Sequence, residues 1–247
     1  MNKKLILGML TVVTIATFLL PNTLIVAKAD ETKESETFTE VENYSLEELN
    51  LLEKLEKEVK AFEEDTSILD GKALMVDKAD RTRAQLGKWS WRDGVIALTD
   101  GGKKLLFVNS WHAAIVVPQY YYTVAEAGPD NGVFLTHSTK DKNEFLARYP
   151  KNQVWQVGVT STSIEQDWVA GEWAGRQVGK PYNSEILKDI RRTDKFYCSS
   201  LIWAAYYYTT NYDLDLPDNN NNNNRVWRIH PKEILDHPGT TITYRKR

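Results

Sequence analysis

Cys198 is the one cysteine in a chain of 247 residues, and it stands where an apolar, aromatic stretch begins and runs on to Thr210. That stretch reads as a buried helix with Ser199 and Ser200 in its first turn. Backbone N–H groups at a helix start have no partner within the helix and carry positive partial charge. They stabilise a thiolate placed among them, and they can hold the oxyanion of an acyl-transfer intermediate. The plainer reading of Cys198 is a small buried hydrophobe. Position alone leaves both open.

A thiol nucleophile needs a base within hydrogen-bond reach, and the chain has four histidines. His230 and His237 flank a short C-terminal helical turn beside prolines and read as cap or surface residues. His137 ends a strand ahead of Ser138-Thr139. His112 opens an apolar strand after Asn109-Ser110-Trp111, as a base or as an ordinary strand-end histidine. A base is better held when its second ring nitrogen is oriented by a third group. Glu126 lies in Val124-Ala125-Glu126-Ala127-Gly128, where small neighbours leave room around an acid. If its strand pairs with that of His112 as an antiparallel hairpin, the two side chains become neighbours. A water-facing edge glutamate is the alternative.

The elements that must position these residues are legible in outline. Strands are predicted over 94–99, 112–117, 121–127, 132–137, 154–160 and 240–244, separated by turn signals such as Asp100-Gly101-Gly102 and Gly128-Pro129. Helices are predicted over 77–86, 141–149, 163–178 and 198–210, with a last helical turn at 231–235. Gly179-Lys180-Pro181 stops the third of these. Closely spaced strands followed by helices predict an α+β domain: a mostly antiparallel sheet with helices packed on one side. The unbroken run Asn219–Asn224 reads as a surface loop.

The N-terminal part has a different character. A basic head at Lys3-Lys4, an apolar run from Leu5 to Leu20 and Ala27-Lys28-Ala29 form the three-part pattern of a secretory signal, so the mature chain is expected to begin at Asp30. An uncleaved anchor helix is the alternative. No transmembrane span is expected once the signal is removed. Residues 30–65 form a polar segment followed by an amphipathic helix from Ser45 to Glu64, opened by the capping box Ser45-Leu46-Glu47-Glu48. The catalytic domain is then expected over 66–247. Removal of Lys3, Lys4 and Lys28 leaves 28 basic against 34 acidic residues, net −6. Such a surface does not suit nucleic acid, which needs clustered Lys and Arg. No cofactor is expected. One Cys and scattered His give no metal-ligand spacing, and Gly101-Gly102 lacks the Lys-Ser/Thr of a phosphate-binding loop.

The order His112-Ala113-Ala114-Ile115-Val116-Val117, Thr123-Val124-Ala125-Glu126-Ala127, Gly132-Val133, Gly179-Lys180-Pro181-Tyr182 and Phe196-Tyr197-Cys198-Ser199-Ser200-Leu201-Ile202-Trp203 resembles the permuted papain-like amidases. These are the YaeF and YiiX relatives of the NlpC-type cell-wall peptidases. In that branch the histidine strand comes first and the cysteine helix last, and the resemblance covers about Trp89 to the C-terminus. It implies a circularly permuted papain-like fold, Cys198 as nucleophile, His112 as base and Glu126 as the orienting acid. The backbone N–H of Cys198 would supply part of the oxyanion hole, and Tyr197 would line the site or fill the core. Two departures stand out. Relatives usually carry Gly-Asp before the first strand, where this chain has Asp93-Gly94, and Gly before the histidine, where this chain has Trp111.

The expected function is therefore that of a secreted cysteine amidase or peptidase acting on an envelope amide such as a cell-wall peptide, by way of an acyl-enzyme. Two rivals keep part of the picture. A thioesterase or acyltransferase would use the same triad on lipid-type substrates, with an apolar groove near Tyr120-Tyr121-Tyr122 or Tyr206-Tyr207-Tyr208. A non-catalytic module would bind a wall fragment or a partner, with the Ser45–Glu64 helix for docking.

Overall fold

The computed structural model describes residues 85–102, 104–105, 108–109, 111–184, 190–216 and 229–247, together with Asn50, Glu53 and Lys57. The chain divides into two units, Met1–Asn50 and Leu51–Arg247, and the second contains the whole sheet. Glu53 and Lys57 are helical and form an i,i+4 ion pair at 3.0 Å. The expected signal segment, the rest of the Ser45–Glu64 helix, most of the 77–86 helix and the Asn219–Asn224 loop lie outside the described residues.

In chain order the strands are β1 (Gln85–Leu86), β2 (Ile96–Thr99), β3 (Lys104–Leu105), β4 (Val108–Asn109), β5 (His112–Val116), β6 (Thr123–Gly128), β7 (Gly132–His137), β8 (Val154–Val159) and β9 (Thr240–Lys246). Beyond the helical Glu53 and Lys57, the helices among the described residues are α1 (Glu144–Arg148), α2 (Ile164–Gly175), α3 (Cys198–Thr210) and α4 (Pro231–Asp236). Seven strands form one sheet in the order β1-β9-β8-β2-β5-β6-β7, and every neighbouring pair is antiparallel. β3 and β4 make a separate hairpin. The architecture is the expected α+β one.

One local expectation fails. Gln85 and Leu86 end no helix; they pair with Lys246 and Arg245 of β9. A weak helical pattern yields where an open strand edge offers cross-strand pairing. Gly87 then takes φ +68°, and a Cβ there would lie 2.3 Å from the carbonyl oxygen of Thr243.

Side chains alternate along each strand. Ala97, Ala114, Val116, Val124 and Val154 therefore share one face, where they pack with Phe145 of α1 and with Tyr244, Trp89, Trp91, Leu146 and Tyr149. Their alternates Ile96, Leu98, Ala113, Ile115 and Ala125 are equally buried. The two long helices α2 and α3 pack on each other and on β5 and β6, covering that second face. The sheet centre is thus dry on both sides, which explains why its strands read as continuous apolar runs instead of alternating ones.

The edge strand β7 is not left open. Val133 N–H donates to the carbonyl of Lys180 at 2.8 Å, and Gly179 N–H donates to that of Val133 at 2.9 Å. The same strap continues to α3: Phe196 N–H donates to Pro181 at 3.1 Å and Asn183 N–H to Phe196 at 2.9 Å. α2 ends earlier than the Gly179-Lys180-Pro181 stop predicts, at Gly175 with Arg176 as its cap, and Gly179-Lys180-Pro181-Tyr182 instead seals the sheet edge and fixes the residues that lead into Cys198.

Candidate active site

Three elements bring the predicted residues together. β5 begins at His112, β6 carries Glu126, and α3 begins at Cys198. In the β5–β6 ladder Ala114 faces Glu126. His112 lies two residues before Ala114 on the same face, a diagonal neighbour within side-chain reach. Its Nε2 lies 2.7 Å from Oε2 of Glu126. The remaining ring nitrogen, Nδ1, is the one left for Cys198, which stands close enough to the ring to raise its pKa.

The head of α3 is built by its own first turn. Tyr197 is the extended N-cap. Its N–H donates to the Ser200 hydroxyl at 2.9 Å, and that hydroxyl donates back to the Tyr197 carbonyl at 2.9 Å. Ser199 donates to the carbonyl of Ile229 at 2.8 Å. The two serines thus fix the first turn, and Cys198 opens the helix at its positive end. Tyr197 itself is a core aromatic. Its ring is buried, and burial, with Glu233 adding, pushes its ionisation well above the usual tyrosine range.

Burial would by itself lower the pKa of His112. Hydrogen bonds to Cys198 and Glu126, and their negative charge, outweigh it and raise the ring to about 9. Glu126 is 0% exposed. Burial pushes its carboxyl up, but the hydrogen bond and charge of His112, followed by the charge of Arg148, hold it below the usual carboxylate range. The three groups thus form a chain in which the imidazolium is favoured between two partners that carry or accept negative charge.

Three further residues line the site, and sequence reasoning does not single them out. The Thr136 hydroxyl and Arg148 Nη2 both donate to Oε1 of Glu126, and Arg148 Nη2 also reaches Thr136 Oγ1 at 3.2 Å. Tyr149 sits beside the His112 ring, with centroids 6.2 Å apart. Burial raises its hydroxyl to about 12, opposed by Arg148 and reinforced by Glu126 and Cys198. The only signal in the sequence is positional: Thr136 is on the β-strand next to that of Glu126, and Arg148 and Tyr149 close the short helix predicted over 141–149.

A family model of the permuted papain-like amidase enzymes, YaeF/YiiX, C92 family, matches residues 99–239. The chain belongs to that family. The matched span contains His112, Glu126 and Cys198, in the histidine-first order of the permuted branch, and the fold is accordingly the permuted papain-like α+β one. The crystal structure of metalloprotein yiiX from Escherichia coli O157:H7 is similar at 18% identity and a TM-score of 0.48, over 62% of this chain and 97% of that one. No curated protein matches the chain.

Both departures from the family pattern have a structural setting. Gly94 takes φ +78°, and a Cβ there would lie 2.4 Å from the carbonyl oxygen of Asp167 on α2, so this position needs glycine. Trp111 is buried and stacks on Trp155, with centroids 5.1 Å apart and planes 4° from parallel, while His230 meets its ring at 6.0 Å. Its bulk is absorbed by those partners. His230 and His237 are the N- and C-caps of α4, and the Thr123 hydroxyl pairs with His137 at 3.0 Å.

Proposed function

We propose that this amidase-family chain is an exported cysteine hydrolase that cleaves an amide by way of an acyl-enzyme at Cys198. The observation that carries the reading is the His112–Glu126 hydrogen bond at 2.7 Å, set beside Cys198 at the head of α3. His112 takes the thiol proton through Nδ1, or the two rest as thiolate and imidazolium. The sulfur then attacks the amide carbonyl. Backbone N–H groups at the start of α3 stabilise the oxyanion. His112 returns its proton to the leaving amine, and water, deprotonated by the same imidazole, releases the acid and restores the thiol. Glu126 keeps the ring oriented and its Nε2–H paired throughout.

The secretory pattern of residues 1–29 and the kinship with cell-wall peptidases support an envelope amide, such as a peptide link of the wall, as substrate. The acyl-ester reading draws no support from Tyr206 and Tyr207, two of the tyrosines expected near its groove. Tyr206 is buried, donating to the carbonyl of Gly94 at 2.8 Å and to Asp167 at 3.1 Å. Tyr207 stacks on Trp203 with centroids 4.6 Å apart. The test is hydrolysis by the mature chain, from Asp30, of defined wall peptides beside long-chain acyl esters. Release of a new amine from the peptides, lost in Cys198→Ala, supports the reading. Turnover of the esters alone would replace it with the acyl-transfer one.

A further inference from the structure

Glu126 is held on both sides, and one of its holders is a permanent cation. Oε2 takes the His112 ring from β5, while Oε1 takes the Thr136 hydroxyl from β7 and Arg148 Nη2 from the end of α1. A fully buried carboxylate has no water to stabilise its charge and stays ionised only where donors or cations replace that water. His112 cannot serve as the fixed source of positive charge, because its own charge changes in the reaction. Arg148 can, since a guanidinium stays protonated at any working pH.

Arg148 is itself placed by packing. Its guanidinium lies 5.6 Å from the centroid of Phe145 and 5.7 Å from that of Tyr149, and Tyr149 borders the His112 ring. Its side chain is 37% exposed on one flank while its tip reaches the buried carboxylate. The groups facing Glu126 are thus His112 on β5, Thr136 on β7, and Arg148 with Tyr149 on and just after α1, with Cys198 of α3 beyond the imidazole.

We propose that Arg148, assisted by Thr136, is a positioning residue of the hydrolytic site: it keeps Glu126 ionised and aimed at His112, and thereby sets the pH range in which the Cys198–His112 pair is active. The proposal rests on the triad reading above. Without Arg148 the buried cluster carries one more uncompensated negative charge when it is in its thiolate–imidazolium form. That form is then disfavoured, and a higher pH is needed to draw the proton from sulfur.

The experiment uses the full mature chain and three variants: Arg148→Met, which keeps the stem over Phe145 and Tyr149, Arg148→Lys, which keeps the charge, and Thr136→Val. The rate of Cys198 alkylation by a small haloacetamide is followed against pH, alongside circular dichroism as a check of folding. Arg148→Met is expected to move the midpoint of the profile up by about half to one pH unit and to lower the rate at pH 6 several-fold. Arg148→Lys recovers most of the shift, and Thr136→Val shows a smaller one. A folded Arg148→Met with an unmoved midpoint overturns the proposal even if its rates fall, because a purely structural role changes rates without moving the profile. Equal shifts in Arg148→Met and Arg148→Lys overturn it too, and if Arg148→Met fails to fold, a Thr136→Val profile matching wild type does so. A wild-type profile insensitive to His112→Ala overturns the triad reading itself, which separates the two failures.

Discussion

Glu126 Oε2 lies 2.7 Å from Nε2 of His112, so Nδ1 is the ring nitrogen left for Cys198. The tautomer with its proton on Nε2 is the one that leaves Nδ1 free to take a proton from sulfur. A carboxylate at position 126 accepts and so selects that tautomer.

Replacement of Glu126 by glutamine keeps the shape but allows an amide N–H to face Nε2, which favours the opposite tautomer. Turnover is expected to fall by roughly 10²–10⁴-fold, the scale seen when a triad acid is replaced by its amide. Steady-state kinetics on a peptide substrate check this, with KM expected to change much less than kcat.

The raised His112 pKa gives two pH dependences. Deprotonation of the ring removes the imidazolium partner, so kcat/KM is expected to fall on the alkaline side near pH 9. Stability follows the same group. Its pKa in the folded chain, about 9, is above the ordinary 6.5, so its contribution is fully present below pH 6.5 and is lost as pH rises through about 9. Denaturant unfolding at a series of pH values checks this. The decline between pH 6.5 and 9 is expected to be reduced in His112→Ala.

Much of the site is legible in the sequence because its geometry is encoded locally. The ends of the two strands can be read from Pro118 and Gly128-Pro129, but the sequence leaves their pairing open; the antiparallel β5–β6 hairpin of the structure makes His112 and Glu126 neighbours. The apolar, aromatic run marks Cys198 as the first residue of α3 and Thr210 as its last, as the structure has them. Arg148 is not legible, since its role depends on α1 folding over β6 and β7, a contact with no local spacing to show it. Gln85-Leu86 escapes for a similar reason, because its partner β9 lies at the far end of the chain.

Asp167 links three elements in the interior. It accepts from Arg92, from the Thr162 hydroxyl at 2.6 Å and from Tyr206 at 3.1 Å. Asp167→Ala is expected to destabilise the fold by about 1–3 kcal/mol, since it removes the acceptor shared by the buried Tyr206, the half-buried Thr162 and Arg92. Tyr206→Phe is expected to cost about 1 kcal/mol. Chemical denaturation measures both.

Gly132 takes φ +62°, and a Cβ there would lie 2.2 Å from the carbonyl oxygen of Lys180. Gly132→Ala is therefore expected to open the strap between β7 and residues 179–181, with a loss of stability above about 1 kcal/mol. Because that strap also holds Phe196, the variant is expected to lose activity even at temperatures where it stays folded. Hydrogen exchange at Val133 and Phe196 together with kcat checks this.

Whether Cys198 and His112 act as a pair can be tested without knowing the substrate. The measurement is the rate of Cys198 alkylation by iodoacetamide against pH, in the mature chain and in His112→Ala. An ordinary thiol gains reactivity only as it ionises near about pH 8.5. The pair is expected to make Cys198 reactive already near pH 6, with His112→Ala shifting the profile upward towards that of an ordinary thiol. An unreactive Cys198, or identical profiles in the two proteins, would contradict a catalytic Cys198–His112 pair.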